Sequence, residues 1–243
     1  MINLTPAFFH NYSKKLASIF AIVSSILFVI GTYIAFYVAP LDYQQEDAVR
    51  IMYIHVPSAW LALNIYFAMG TLGITYIIWR NHLNIIIANG LAQIGAIFAF
   101  ITLITGSLWG KPMWGTYWVW DARLTSMLIM FLFYIGYNLF NYYQSLIHTD
   151  YMALAILAIV GAINVPIVKF SVNLWNSLHQ PASILRKGGI AIHNDMLIPL
   201  FIMFIACICL VITISLIYTE KELLKRKKIK NKIRFIKNLE SVK

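Results

Sequence analysis

Six long apolar runs separated by short polar stretches organise the 243 residues, at about 16–38, 57–79, 83–108, 124–143, 151–168 and 190–218. A helix crossing a bilayer needs about 17–25 apolar residues, and every run falls at or near that length. The pattern therefore predicts an all-α integral membrane protein with six transmembrane helices. The first run follows Lys14 and Lys15, is closed by Pro40, and lacks a small-residue cleavage site after a short core, so it is expected to persist as the first helix. The second begins on Pro57, in a first turn where a missing N–H costs nothing. Gly90, Gly95 and Gly106 in the third predict close helix approach, and Asn64 and Asn164 read as interhelical hydrogen-bonding groups. No ionisable residue lies well inside a run, and there is no internal repeat or low-complexity linker.

Composition turns this pattern into an exclusion. The chain is 60% hydrophobic and 12% charged, with a mean hydropathy of +0.74, whereas soluble domains are about 45–50% apolar. A net charge of +10 would suit a nucleic-acid binder, but ten of the nineteen Lys and Arg lie from Lys221 onward, directly after the last run. That divides the chain into a membrane domain, 1–220, and a polybasic tail, 221–243, directed at lipid and not at nucleic acid. By loop parity, Lys14, Lys15, Arg80 and the ten tail residues (thirteen) stand against Arg50, Lys111, Arg123, Lys169, Arg186 and Lys187 (six). The positive-inside rule then predicts both termini in the cytoplasm, with the first, third and fifth loops on the outer face, periplasmic in a Gram-negative cell. Cys207 and Cys209, two apart in an apolar run, read as buried small hydrophobes and not as a disulfide.

One window interrupts the apolar chain. Residues 109–123 read Trp-Gly-Lys-Pro-Met-Trp-Gly-Thr-Tyr-Trp-Val-Trp-Asp-Ala-Arg and hold four of the seven tryptophans. Its glycines and proline argue against a regular spanning helix. Its chemistry supports two readings: an aromatic belt at headgroup depth, or a shelf for a large planar ligand, with Trp109, Trp114, Tyr117, Trp118 and Trp120 supplying faces and Lys111, Asp121 and Arg123 supplying charge. Asp121 and Arg123 could equally pair with each other or cap the fourth helix. The loop acids Asp42, Glu46 and Asp47 read as solvated surface.

On the same outer face lie His55, before the second run, and His179, in the fifth loop. A histidine at a helix mouth is commonly a hydrogen-bonded interfacial residue. Two of them flanking an aromatic shelf are also what bis-histidine heme ligation requires, since neutral imidazoles can bind iron from opposite porphyrin faces. His193 is the nearest rival, while His10, His82 and His148 fall on the cytoplasmic side.

The opening Trp-Gly-Lys-Pro-Met-Trp-Gly-Thr resembles the CcmC family of cytochrome c maturation, within the tryptophan-rich WWD-signature heme-handling membrane proteins. His55 lies in His-Val-Pro-Ser-Ala-Trp and His179 in Leu-Trp-Asn-Ser-Leu-His-Gln, and both segments are similar to the stretches that carry that family's axial ligands. The resemblance covers nearly the whole chain; larger relatives with the signature have more spans. One departure is Tyr117, where the family often has tryptophan. The resemblance implies a heme-binding protein and not an enzyme: heme b ligated by His55 and His179 is presented at the outer face to the heme chaperone CcmE. It also implies as partners the ATP-binding cassette complex CcmA with CcmB and the small membrane protein CcmD. The chain has no Walker-type Gly-rich loop, so ATP would act on another chain. Two alternatives are a membrane-anchoring cytochrome b, whose ligands usually sit within the spans, and a permease, which would show midplane charges or paired broken helices.

Overall fold

Every apolar run becomes a helix. The computed structural model describes residues 6–147, 150–179, 183–184 and 189–240, so His148, Arg186 and Lys187 lie outside the described residues. Helix α1 (Pro6–Tyr33) closes in a π-helical turn, Ile34–Val38, and a 3-10 turn, Asp47–Ile51, leads into α2 (Met52–Trp79). Then come α3 (His82–Trp114), α4 (Ala122–Ile147), α5 (Met152–Ala162), α6 (Asn164–Leu174) and α7 (Asn194–Glu240). Six helical stretches are long and apolar enough to cross a membrane, α5 and α6 together making the fifth.

Four boundaries differ from the sequence expectation. Helix α2 starts at Met52, so Pro57 is its sixth residue and not in its first turn. Helix α3 runs through Gly110 and Pro112 to Trp114; Gly115 then ends it at φ 75°, its N–H reaching the Lys111 carbonyl at 3.0 Å. The fifth run divides at Ile163, where Pro166 cannot donate to the carbonyl of Ala162. The last helix does not stop at the expected 220 boundary and carries the basic stretch to Glu240 without a break.

Lipid tails are as apolar as leucine, so close fit and interhelical hydrogen bonds must hold such a bundle together. Tyr134 is fully buried: its ring fills the space that a Cβ on Gly95 would occupy, and its hydroxyl donates to the Ala62 carbonyl at 2.6 Å. Asn164 donates across to the Ser126 carbonyl at 2.9 Å, as expected of an interhelical group. Asn64 does not behave that way; it is exposed and bonds the Trp60 carbonyl one turn back in its own helix. Cys207 and Cys209 are buried free thiols.

Contacts tie the loops together at each end of the bundle. At one end Ser13 and Lys14 meet Glu220 at 2.8 and 3.8 Å, Tyr76 and Arg80 meet Asp150 at 2.6 and 3.7 Å, and Arg226 meets Tyr151. At the other, Arg50 bonds the Ala35 carbonyl at 2.6 Å and Trp109 bonds Gln45 at 2.9 Å. The tryptophan window sits at this second end.

Candidate functional site

The window is part helix and part loop. Trp109 and Trp114 ride the last turns of α3, and residues 115–121 form the connection to α4. Trp109 is not an open face: it is half-buried, its indole N–H donates to Gln45 Oε1, and its ring meets His55 edge-on at 5.6 Å between centroids. Trp114 folds back over Gly110, where a Cβ would come within 2.9 Å of the indole. Trp118 and Trp120 meet edge to face at 5.4 Å. Trp120 is 76% exposed and Tyr117 55%, so these two rings face outward. The Trp118 Nε1 is buried and has no hydrogen-bond partner among the described residues. Lys111 stiffens the turn by donating to the Gly115 carbonyl at 2.9 Å and lying 5.2 Å from the centre of the Tyr117 ring.

His55 lies one turn inside α2 and not at its mouth, since the helix begins three residues earlier. Its ring rests on α3. The Nδ1 atom is 3.0 Å from Thr105 Oγ1, and a Cβ on Gly106 would come within 3.0 Å of Cε1. Trp109 covers another side. The arrangement needs glycine at 106: any larger residue would push the imidazole off the helix.

His179 reaches the window at a different ring, its imidazole lying 6.4 Å from the Trp114 indole. The segment carrying it is tied down from α4. Asp121 Oδ2 accepts from the Ser177 hydroxyl, whose oxygen accepts the His179 backbone N–H at 3.1 Å. Asp121 Oδ1 accepts the Leu124 N–H at 2.8 Å and so caps α4. Arg123 donates to Ser171 Oγ at 3.0 Å and to the Lys169 carbonyl at 3.3 Å, fastening the end of α6 to the start of α4. A recess of about 310 Å³ opens between these segments, lined by Val119, Trp120, Asp121, Asn176, Ser177 and Leu178.

His193 is largely exposed, with Nδ1 3.6 Å from Asp195 at the start of α7. His82 packs against Tyr76 and Tyr151 at the opposite end of the bundle. The loop acids are more than solvated surface: Asp47 pairs with Arg50 at 2.9 Å, and Asp42 accepts the N–H groups of Gln44 and Gln45, shaping the turn that brings Gln45 to Trp109. Gln45, Thr105, Gly106 and Ser177 all support the site, and only Gly106 carried a sequence signal, as a small residue in a spanning helix. No group of three or more His, Cys, Asp or Glu gathers to hold a bare metal ion among the described residues.

Fold and site together define a polytopic helical membrane protein with a tryptophan-rich, histidine-flanked site at one end. The chain belongs to the CcmC family, heme exporter protein C, which it matches over residues 2–234. It is 45% identical over 224 residues to heme exporter protein C of Bradyrhizobium diazoefficiens, covering 91% of this chain and 84% of that one. The corresponding protein of Haemophilus influenzae is 40% identical over 227 residues, 89% and 92% of the two chains. A putative cytochrome c biosynthesis ccmC-like mitochondrial protein of Marchantia polymorpha is 44% identical over 201 residues, 83% and 85%.

Proposed function

We propose that this protein holds heme as cargo at the outer face of the bacterial inner membrane and hands it to the chaperone CcmE for cytochrome c maturation. The observation that carries the reading is that two histidines from separate segments meet one tryptophan window at different rings, His55 against Trp109 and His179 against Trp114. The names of the relatives, heme exporter and cytochrome c biosynthesis protein, support the same cargo. Chemistry here is delivery and not turnover.

The residues suit a porphyrin. Trp120 and Tyr117 offer outward faces, each worth about 0.5–1.5 kcal/mol in stacking beyond buried area. The unpartnered Trp118 Nε1 is a donor awaiting an acceptor such as a propionate. Exposed Lys111 is a cation at the rim, while Asp121 and Arg123 serve as the frame that sets the histidine-bearing segments. The bound cargo supplies an iron with two open axial positions, which His55 and His179 fill as heme b ligands. CcmA with CcmB and CcmD complete the assembly, and the basic 221–243 segment faces cytoplasmic lipid headgroups.

The test is an absorption spectrum of the purified full chain alongside His55→Ala and His179→Ala. The native protein is expected to show a six-coordinate bis-imidazole heme, and each variant to lose heme or change its ligation. A heme spectrum indifferent to both substitutions would overturn the reading.

A further inference from the structure

We propose that Thr105 is a positioning residue for His55: its hydroxyl oxygen accepts the Nδ1 proton, fixing the tautomer in which Nε2 presents its lone pair to the cargo iron. This rests on the ligand role proposed above for His55 and adds what makes that imidazole competent.

A threonine hydroxyl has one proton and two lone pairs. In α3 the Thr105 proton is already committed: Oγ1 lies 2.6 Å from the Ile101 carbonyl, with the Thr102 carbonyl further off at 3.4 Å. Only a lone pair is left to face the His55 Nδ1 at 3.0 Å. The contact can be a hydrogen bond only if Nδ1 carries the hydrogen, and in a neutral imidazole that leaves Nε2 unprotonated. A carbonyl-polarised hydroxyl is also a better acceptor than an isolated one, because hydrogen-bond chains strengthen each other. Gly106 completes the placement by letting the ring lie on the helix surface. Histidines that bind metals characteristically donate their second N–H to such an acceptor, which sets ring orientation and raises ligand basicity.

The experiment uses the full chain with 15N-labelled histidine, before and after heme loading, in the native form and as Thr105→Val, Thr105→Ser and His55→Ala. His55→Ala identifies the His55 signals. Native protein and Thr105→Ser are expected to show the Nδ1–H tautomer in the heme-free state, and Thr105→Val a mixture. Heme retention should fall about tenfold in Thr105→Val, the low end for losing an outer-shell partner, with the reduction potential moved upward because the ligand is a weaker donor. Thr105→Ser should restore both. An Nε2–H tautomer in the native heme-free protein overturns the proposal whether or not the variants fold. So does a Thr105→Val protein with native tautomer, retention and potential. If His55→Ala itself keeps the native heme spectrum, it is the ligand reading that fails, and the tautomer measurement still reports separately on the contact.

Discussion

Asp121 accepts the Ser177 hydroxyl with one carboxylate oxygen and the Leu124 N–H with the other, so a single side chain both starts α4 and anchors the segment that carries His179. Hydrogen bonds to charged groups contribute about 1.5–3 kcal/mol, and about 1.4 kcal/mol is a factor of ten. Ser177→Ala is therefore expected to weaken heme binding about tenfold while α4 stays capped. Asp121→Ala should do the same and also cost about 1 kcal/mol of stability through the lost cap. Heme titration and thermal unfolding separate the two; native affinity in Ser177→Ala would show that the anchor is irrelevant to binding.

Histidine rescue distinguishes a ligand from a packing group. Exogenous imidazole should partly restore heme to His55→Ala and His179→Ala by occupying the vacated axial position. His193→Ala should bind normally, since His193 is largely exposed beside Asp195. A heme-free His193→Ala together with a silent His179→Ala would move the second ligand to His193.

The tryptophans should not behave alike. Trp120→Ala removes an exposed face and is expected to cost about 1 kcal/mol of heme binding, about fivefold, without destabilising the bundle. Trp109→Ala removes a packed ring and should instead disturb the His55 environment; Gln45→Leu, which leaves the Trp109 indole N–H unpaired, should reproduce part of that spectral change. Combining Trp114→Ala, Trp118→Ala and Trp120→Ala should abolish the heme-loaded complex with CcmE. Normal chaperone loading by the triple variant would return these rings to an interfacial belt.

Topology can be read with fusions. A reporter active only in the periplasm should work after Gly110 and fail after Lys225. The reverse pattern would put the window and both histidines in the cytoplasm.

Acid should loosen the opposite end of the bundle first. The Tyr76 hydroxyl, at 2.6 Å, holds the Asp150 carboxyl below its ordinary range, with desolvation opposing and the Tyr151 N–H and Arg80 assisting. A carboxylate depressed in the folded state stabilises the fold above its unfolded pKa of about 3.9 and loses that contribution as pH falls through the lower folded value. Asp150→Asn should flatten this acid limb in a thermal-unfolding series. An unchanged limb would show that other carboxylates control it.

The spans were legible because lipid demands an uninterrupted apolar run. Helix ends were not. Sequence punctuation suggested a start at Pro57 and a stop near Gly110-Lys-Pro, yet helix runs across both. At the site, residue types that are chemically conspicuous stood out: indoles, imidazoles, the Asp121 and Arg123 pair. Their supports did not, because Gln45, Thr105 and Ser177 acquire meaning only from neighbours 64, 50 and 56 positions away. Asp121 caps α4, one of the readings offered by its sequence position, and also binds the histidine-bearing segment, which none of them offered.

Helix α7 spans 47 residues without a break, and at 1.5 Å per residue such a rod is about 70 Å long. A bilayer's hydrocarbon core is about 30 Å thick, so more than half of the rod must stand clear of it. The basic residues from Lys221 onward therefore sit on an outrigger whose near end begins one residue after His193. Whatever grips the far end of that rod has leverage on the end of the bundle that carries the tryptophan window.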